Sequence, residues 1–480
     1  MKKKIFAGLS ALALVLSMPF IPASVSAENT ASEVKINETN FPDEKFRGFV
    51  KKIDQDSNGI LSDTEIAAVT NINVSGKEIS SLKGIEYFTS LTVLICSENQ
   101  LTSLDLSQNK LLEKLECYSN QLTSLNVRND TNLKILYCYN NQLTSLNLRN
   151  NTNLEQLSCY KNQLTSLNIG KNTVLETLYC YSNQLTSLDV SQSTALKELV
   201  CSTNQLTSLD ISKNTALFKL NCPGNKIELL DVSNNKNLQY LYCDSNQISL
   251  IELGENTVLS SLVCNNNNLT SLDISRNTAL TRLRCSGNKL KSIDVSNNEK
   301  LQNIECDYNH ITSLDLSRNT ALTNLSCTRN PLTSLDLSQT SVSKLNADQT
   351  NKDYAYKAVI REGKFDLSTL SGFDIAKASD WTNAVIDGSI ITVTDLSEPI
   401  TYKYDTGKGI ASFMMIAYLA GDANLDGKVD VRDCAYIARM LAKGQGDELP
   451  DSADFNDDGK IDVRDAAAIA RFLAKNHKNN

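Results

Sequence analysis

Apolar residues return through the middle of this chain with a period of 21. From about residue 89 to 347 each unit reads Leu-x-x-Leu-x-Cys-x-x-Asn-x-Leu-x-x-Leu-Asp-Leu, with Ile or Val in places. Twelve of the thirteen cysteines keep the beat, from Cys96, Cys117 and Cys138 through to Cys327. Repetition at this period predicts a solenoid, in which each unit buries its apolar face only against its neighbours. Leu115, Cys117, Leu122 and Leu125 of one rung then point inward and meet their counterparts in the next. Strand spacing sets the rungs about 4.8 Å apart, so twelve extend on the order of 60 Å. Asn120 and its equivalents, from Asn99 to Asn330, are placed to bond turn backbone that the rungs would leave unpaired. A second series (Asn109, Asn151, Asn172, Asn214) splits each unit into halves of ten and eleven residues. The last unit, 342–347, comes one residue early and lacks its cysteine.

Different patterns flank the repeat. Residues 41–50 read as an amphipathic helix leading into a loop over 54–65. After the solenoid, 354–360, 384–394, 400–404 and 410–419 alternate or run apolar between turn residues, which predicts a small antiparallel, sandwich-like β module closing the last rung. Nearer the C-terminus, residues 422–433 return 32 positions later as 454–465, each copy followed by a matching helix at 434–443 and 466–475. The expected divisions are 1–27, 28–88, 89–347, 348–418 and 419–480. The first of these joins three lysines, an apolar run and Val25, Ser26 and Ala27, the layout of a secretory signal cleaved after Ala27. No other stretch approaches the roughly 20 apolar residues of a membrane span. An exported, extracellular chain is expected.

The repeated loops carry the clearest chemistry. Oxygen-bearing side chains stand at loop positions 1, 3, 5, 9 and 12 with Gly at 6, the spacing that wraps a calcium ion. The expected ligands are Asp422, Asn424, Asp426, Asp430 and Asp433, and Asp454, Asn456, Asp458, Asp462 and Asp465. Lys428 and Lys460 lend only their backbone carbonyls. The loop at 54–65 fits the EF-hand pattern through Asp54, Asp56, Asn58, Ser62 and Glu65, with the Ile60 carbonyl. Two readings stand there: a calcium-bound cap on the first rung, or the same shape with weak binding.

These motifs resemble known families. The 21-residue unit is similar to the leucine-rich repeats, in a bacterial class with Cys in the first strand. The helix and loop at 41–65 look like the helical cap that precedes many bacterial members. Residues 421–475 resemble a type I dockerin, whose paired loops carry Asp, not Glu, at position 12. That resemblance implies docking onto a cohesin of a scaffoldin, hence a cellulosome component. It places partner recognition on Val431, Arg432, Ala438, Arg439 and Lys443, and on Val463, Arg464, Ala470, Arg471 and Lys475. The two sets are identical, which implies that either face can meet the cohesin after a half-turn. The plain alternative is a calcium-stabilised tail without a partner. The whole chain is thus expected to be an α/β-type solenoid, mostly β and turn, with a helical cap, a β module and an all-α dockerin.

The remaining signals mostly exclude. The net charge of −8 argues against nucleic acid and anionic membrane surfaces. With only His310 and His477, and no Cys-x-x-Cys pair, the repeat cysteines are poor zinc ligands. Disulfides between rungs demand a torsion that parallel side chains rarely present, so buried small hydrophobes are favoured. Tyr118, Tyr139, Tyr160 and Tyr181 follow successive cysteines, and Tyr137, Tyr179, Tyr240 and Tyr242 join them on the concave face. Such a face suits a plant polysaccharide or a surface protein; the alternative is a self-stacked ladder that stiffens the sheet. Asp105, Asp189 and Asp210 recur as turn residues rather than as the paired carboxylates of a glycosidase. A non-catalytic subunit is expected. An inhibitor or adhesin carried on the same complex, and a hydrolase with an unfamiliar site, are the alternatives.

Overall fold

The computed structural model describes residues 33–476. The expected signal segment and His477 lie outside them. One sheet of fourteen strands runs through the solenoid, from Asn71–Asn73 to Lys344–Asn346, and every pairing in it is parallel. Its first strand lies upstream of the residue 89 boundary expected from the cysteine period. Asn71–Asn73 pairs in register with Val93–Ile95 without the repeat's letters, because Ile72 alone supplies the inward side chain.

Each strand is three residues long, and in all but the last, where Leu345 is only partly buried, the central residue is buried, as Leu115 is within Lys114–Glu116. The cysteine that follows is buried in all twelve repeats. The chain then turns through a left-handed residue, φ 53° at Ser119 and 51° at Lys161. An asparagine holds that turn. Asn162 donates to the carbonyls of Cys138 and Cys159 at 3.1 and 3.0 Å and accepts from the Leu143 amide at 3.0 Å. Burial pushes the thiols up, to about 12 at Cys96 and Cys159, so they stay neutral and act as small hydrophobes.

The second asparagine series is buried too. Asn151 donates to the carbonyls of Val127 and Asp130 at 2.8 and 2.9 Å. Asp130 stands in that series where its neighbours have Asn109 and Asn151, and neither of its carboxylate oxygens has a hydrogen-bond partner. Burial raises its pKa to about 6. Because folding raises this pKa, the native state keeps a proton that the unfolded chain has released. The resulting stability is full below about pH 4 and is lost as pH rises through about 6. Asp130→Asn restores the donor and removes the buried charge. It is expected to stabilise the solenoid by about 2–3 kcal/mol at pH 7.5 and by little at pH 4, read from urea midpoints.

Both ends of the stack are sealed. The helices α1 (Glu44–Val50) and α2 (Asp63–Ala68) cap the first rungs, and Phe41, Phe46, Leu61 and Phe88 are completely buried in the solenoid's own core. At the far end Gln349 replaces the ladder asparagine, accepting from the Asn330 amide at 2.9 Å and donating to the Cys327 carbonyl at 2.7 Å. The Tyr402 hydroxyl donates to the Thr333 carbonyl at 2.5 Å, so the β module closes the last rung as its sequence suggests. Trp381 is half-buried and stacks on Tyr402 at 4.3 Å, as part of that packing.

The module is not wholly antiparallel as expected. Tyr356–Ile360 pairs in parallel with Ile410–Leu419, because a long excursion between them lets the chain return in the same direction. Ile410–Leu419 leads directly into the C-terminal module, which has a separate small core of Ala423, Ile437, Met440, Leu449, Ala453 and Ile469. Two helices dominate it, α3 (Val431–Ala442) and α4 (Val463–Asn476).

Candidate calcium and docking sites

Three loops in this chain adopt one backbone design. Their fourth residues, Ser57, Leu425 and Asp457, are left-handed at φ 59°, 59° and 64°; their sixth, Gly59, Gly427 and Gly459, at 81°, 81° and 78°. Glycine at position 6 was legible from the sequence. Position 4 was not, since three unrelated residues share it.

The first side chain of each loop binds the loop's own middle. Asp422 accepts from the amides of Asp426 and Gly427 at 3.0 and 2.8 Å. Asp454 accepts from Asp458 and Gly459 at 3.2 and 2.9 Å, and Asp54 from Asn58 and Gly59 at 3.2 and 2.8 Å. The twelfth side chain ties the two ends together. Asp433 accepts from Ala423 and Asp430, both at 2.9 Å, and Asp465 from Asn456 and Asp462 at 3.1 and 2.9 Å. Glu65 does the same with the amides of Gln55 and Ser62 at 2.6 and 2.9 Å.

This geometry fits a hard divalent cation. Asp422 and Asp433 are 2% and 0% exposed, and Asp465 is 0% exposed. Burial first, then repulsion from Asp433 and Asp426, pushes the Asp422 carboxyl up, so like charges converge there. In the N-terminal loop, Asp54, Asp56 and Glu65 bring carboxylate oxygens within 4.8 Å of one another. Oxygen donors of this kind suit calcium.

The residues carried over for docking are all on the surface. Val431 and Val463 are 70% and 67% exposed, and Arg432, Ala438, Arg439, Lys443, Arg464, Ala470, Arg471 and Lys475 are exposed as well. Sequence reasoning missed what the arginines hold. Arg432 forks onto Asp430 at 2.6 Å and reaches Asp426 at 3.0 Å; Arg464 repeats this with Asp462 at 2.7 Å and Asp458 at 3.1 Å. The β module also reaches the second loop. Arg361 of the β module donates to the carbonyls of Phe455 and Asp454 at 3.0 and 3.2 Å and pairs with Asp457.

On the concave face, Tyr118, Tyr139, Tyr160 and Tyr181 stack at centroid distances of 4.3, 4.2 and 4.1 Å, within 10° of parallel. Their faces cover one another, leaving edges and hydroxyls to solvent. The Tyr137 and Tyr179 hydroxyls donate to Gln156 and Glu198 at 2.5 and 2.7 Å, while Tyr240 is 37% exposed and Tyr242 half-buried. His310 and Cys306 do not form a nucleophile–base pair: the cysteine is buried in the core.

Residues 420–474 match the model of the dockerin type I domain. The functional domain of InlJ from Listeria monocytogenes, a structure described as including a cysteine ladder, aligns over 81% of this chain and 99% of its own, at 28% identity and TM-score 0.59. An internalin (InlF) from Listeria monocytogenes aligns over 66% of this chain and 98% of its own, at 24% identity and TM-score 0.58, and shares the fold. Among curated proteins, Internalin J of Listeria monocytogenes is 38% identical over 70 residues, 14% of this chain and only 8% of that protein. The solenoid therefore has the internalin-like leucine-rich repeat fold, and the C-terminal module is a type I dockerin. The chain is a leucine-rich repeat protein that carries a dockerin at its C-terminus.

Proposed function

We propose that this chain is a non-catalytic subunit of a cellulosome-type extracellular complex. The observation that carries the reading is the doubled loop and helix: two oxygen-lined loops with their following helices, each presenting the same five exposed residues. Calcium is held by Asp422, Asn424, Asp426, Asp430 and Asp433 with the Lys428 carbonyl, and by Asp454, Asn456, Asp458, Asp462 and Asp465 with the Lys460 carbonyl. The arginines neutralise the outer carboxylates of each loop and present their remaining surface to a cohesin. A third calcium, on Asp54, Asp56, Asn58, Ile60, Ser62 and Glu65, stiffens the N-terminal cap.

The solenoid supplies recognition. Its concave face offers tyrosine edges and hydroxyls, which support a surface protein as the first target. A plant cell-wall glycan is the second reading, favoured by Tyr240, whose exposure leaves a ring free for stacking. Retention of the full chain on insoluble plant polysaccharides separates the two. A glycan target requires at least about tenfold weaker retention when Tyr240 and Tyr242 are changed to Ala. No retention of either form directs the search to proteins.

A further inference from the structure

The flank of the solenoid breaks its own rule at two adjacent rungs. Two residues after the ladder leucine, ten of the twelve repeats place Ser, from Ser103 to Ser208 and again from Ser271 to Ser334. Repeats seven and eight place Leu229 and Leu250. Both face solvent, 62% and 43% exposed, and they sit side by side in register. Only there does this flank form regular strands among the described residues, Leu229–Asp231 paired in parallel with Leu250–Glu252. The core does not require the change, since Leu230 and Ile251 already fill the inward positions. A leucine in water gains nothing for folding, so the pair serves a surface role.

Its surroundings choose the partner. Asp231 and Glu252 point outward beside the leucines. They belong to an unbroken row of exposed carboxylates, Asp189 and Asp210 before them and Asp273, Asp294, Asp315 and Asp336 after. Lys377 pairs with Asp336 at the end of the row. Hydrogen bonds from the serine two residues on hold Asp189, Asp273 and Asp294 below the usual carboxylate range, so those three stay charged. A second copy of this chain would bring two such rows together, which charge opposes.

We infer that this flank docks an extended basic protein segment, which seats apolar side chains on Leu229 and Leu250. The surface is distinct from both the concave face and the dockerin. The leucines anchor and the carboxylate row orients the segment along the solenoid axis.

The repeat supplies its own control. Leu229→Ser with Leu250→Ser restores the residue of the other ten repeats, so the rung keeps its fold, which a thermal melt verifies. Three synthetic peptides serve as probes on the full chain by calorimetry: alternating lysine and leucine, lysine and serine, and glutamate and leucine. The lysine–leucine peptide is expected to bind the native chain and to lose about tenfold or more in affinity on the double variant. The other two peptides should bind the native chain about tenfold more weakly than the first. Equal binding to native and variant chains overturns the proposal, as does equal binding of the lysine–serine peptide. A concentration-dependent dimer that the variant loses overturns it in favour of a second copy.

Discussion

Removing calcium from this chain is expected to lower its affinity for a cohesin by about a thousandfold or more, because a structural cation's binding energy is folding energy. The dockerin has little else to fold with. Its core consists of six buried apolar residues, whereas the solenoid's core runs unbroken from the N-terminal cap into the β module. Against that small core stand buried like charges: Asp422 and Asp433 in the first loop, Asp465 in the second. A cation turns their repulsion into attraction; without one, the helices lose the loops that place them. Asp422→Ala with Asp454→Ala should act like the chelator on binding. It should differ in one respect. By removing two of the crowded charges, the variant makes the calcium-free module no less stable than the native one while abolishing its response to calcium. Circular dichroism of α3 and α4, with and without chelator, reads the folding; titration with immobilised cohesin reads the binding. The solenoid's melting should stay within a degree or two, since its core is separate. Cohesin binding that survives chelation would remove the docking reading.

The second large effect tests the repeat within the dockerin. Arg432→Asp alone is expected to change cohesin affinity by less than about threefold, and Arg464→Asp alone likewise, because the untouched copy can dock after a half-turn. The double change should cost about a hundredfold or more, the scale of losing a charged anchor from an interface. Both arginines present the same surface, 59% and 58% exposed, over matching pairs of carboxylates. Each also neutralises its own loop, so the calcium response of every variant is measured beside its cohesin affinity. Loss of calcium response would mark a loop defect rather than a docking defect. A severe single variant would show that only one face docks. The Arg361 link to the second loop is then the structural difference to remove, by Arg361→Ala.

How much of this was legible in the letters follows from how local each feature is. The repeat was readable because every rung solves the same problem within 21 residues: Leu115 and Cys117 face inward for reasons of alternation alone. The asparagine ladder was readable for the same reason, while the particular carbonyls and amide that Asn162 bonds came only from the structure. The shape of the three oxygen-lined loops was readable because twelve consecutive residues carry the whole pattern. Position 4 escaped, since a left-handed conformation at Ser57, Leu425 and Asp457 carries no common side chain. The parallel pairing of Tyr356–Ile360 escaped because its partner lies far along the chain and both directions suit an alternating strand. The sequence left open whether the tyrosines stack on one another or on a ligand; that they stack on one another depends on packing between rungs.

By itself the sequence determined the solenoid, its inward residues, the three oxygen-lined loops and the two-copy dockerin, because each depends on neighbours a few residues away or on a strict period. Only the tertiary structure decided where the sheet begins, how the β module seals its end, and that Arg432 and Arg464 lie on their own loops' carboxylates. It also decided that Leu229 and Leu250, which the period sets on adjacent rungs, stand exposed to solvent. Those outcomes join residues distant in the chain or depend on side-chain direction, and no local pattern encodes either.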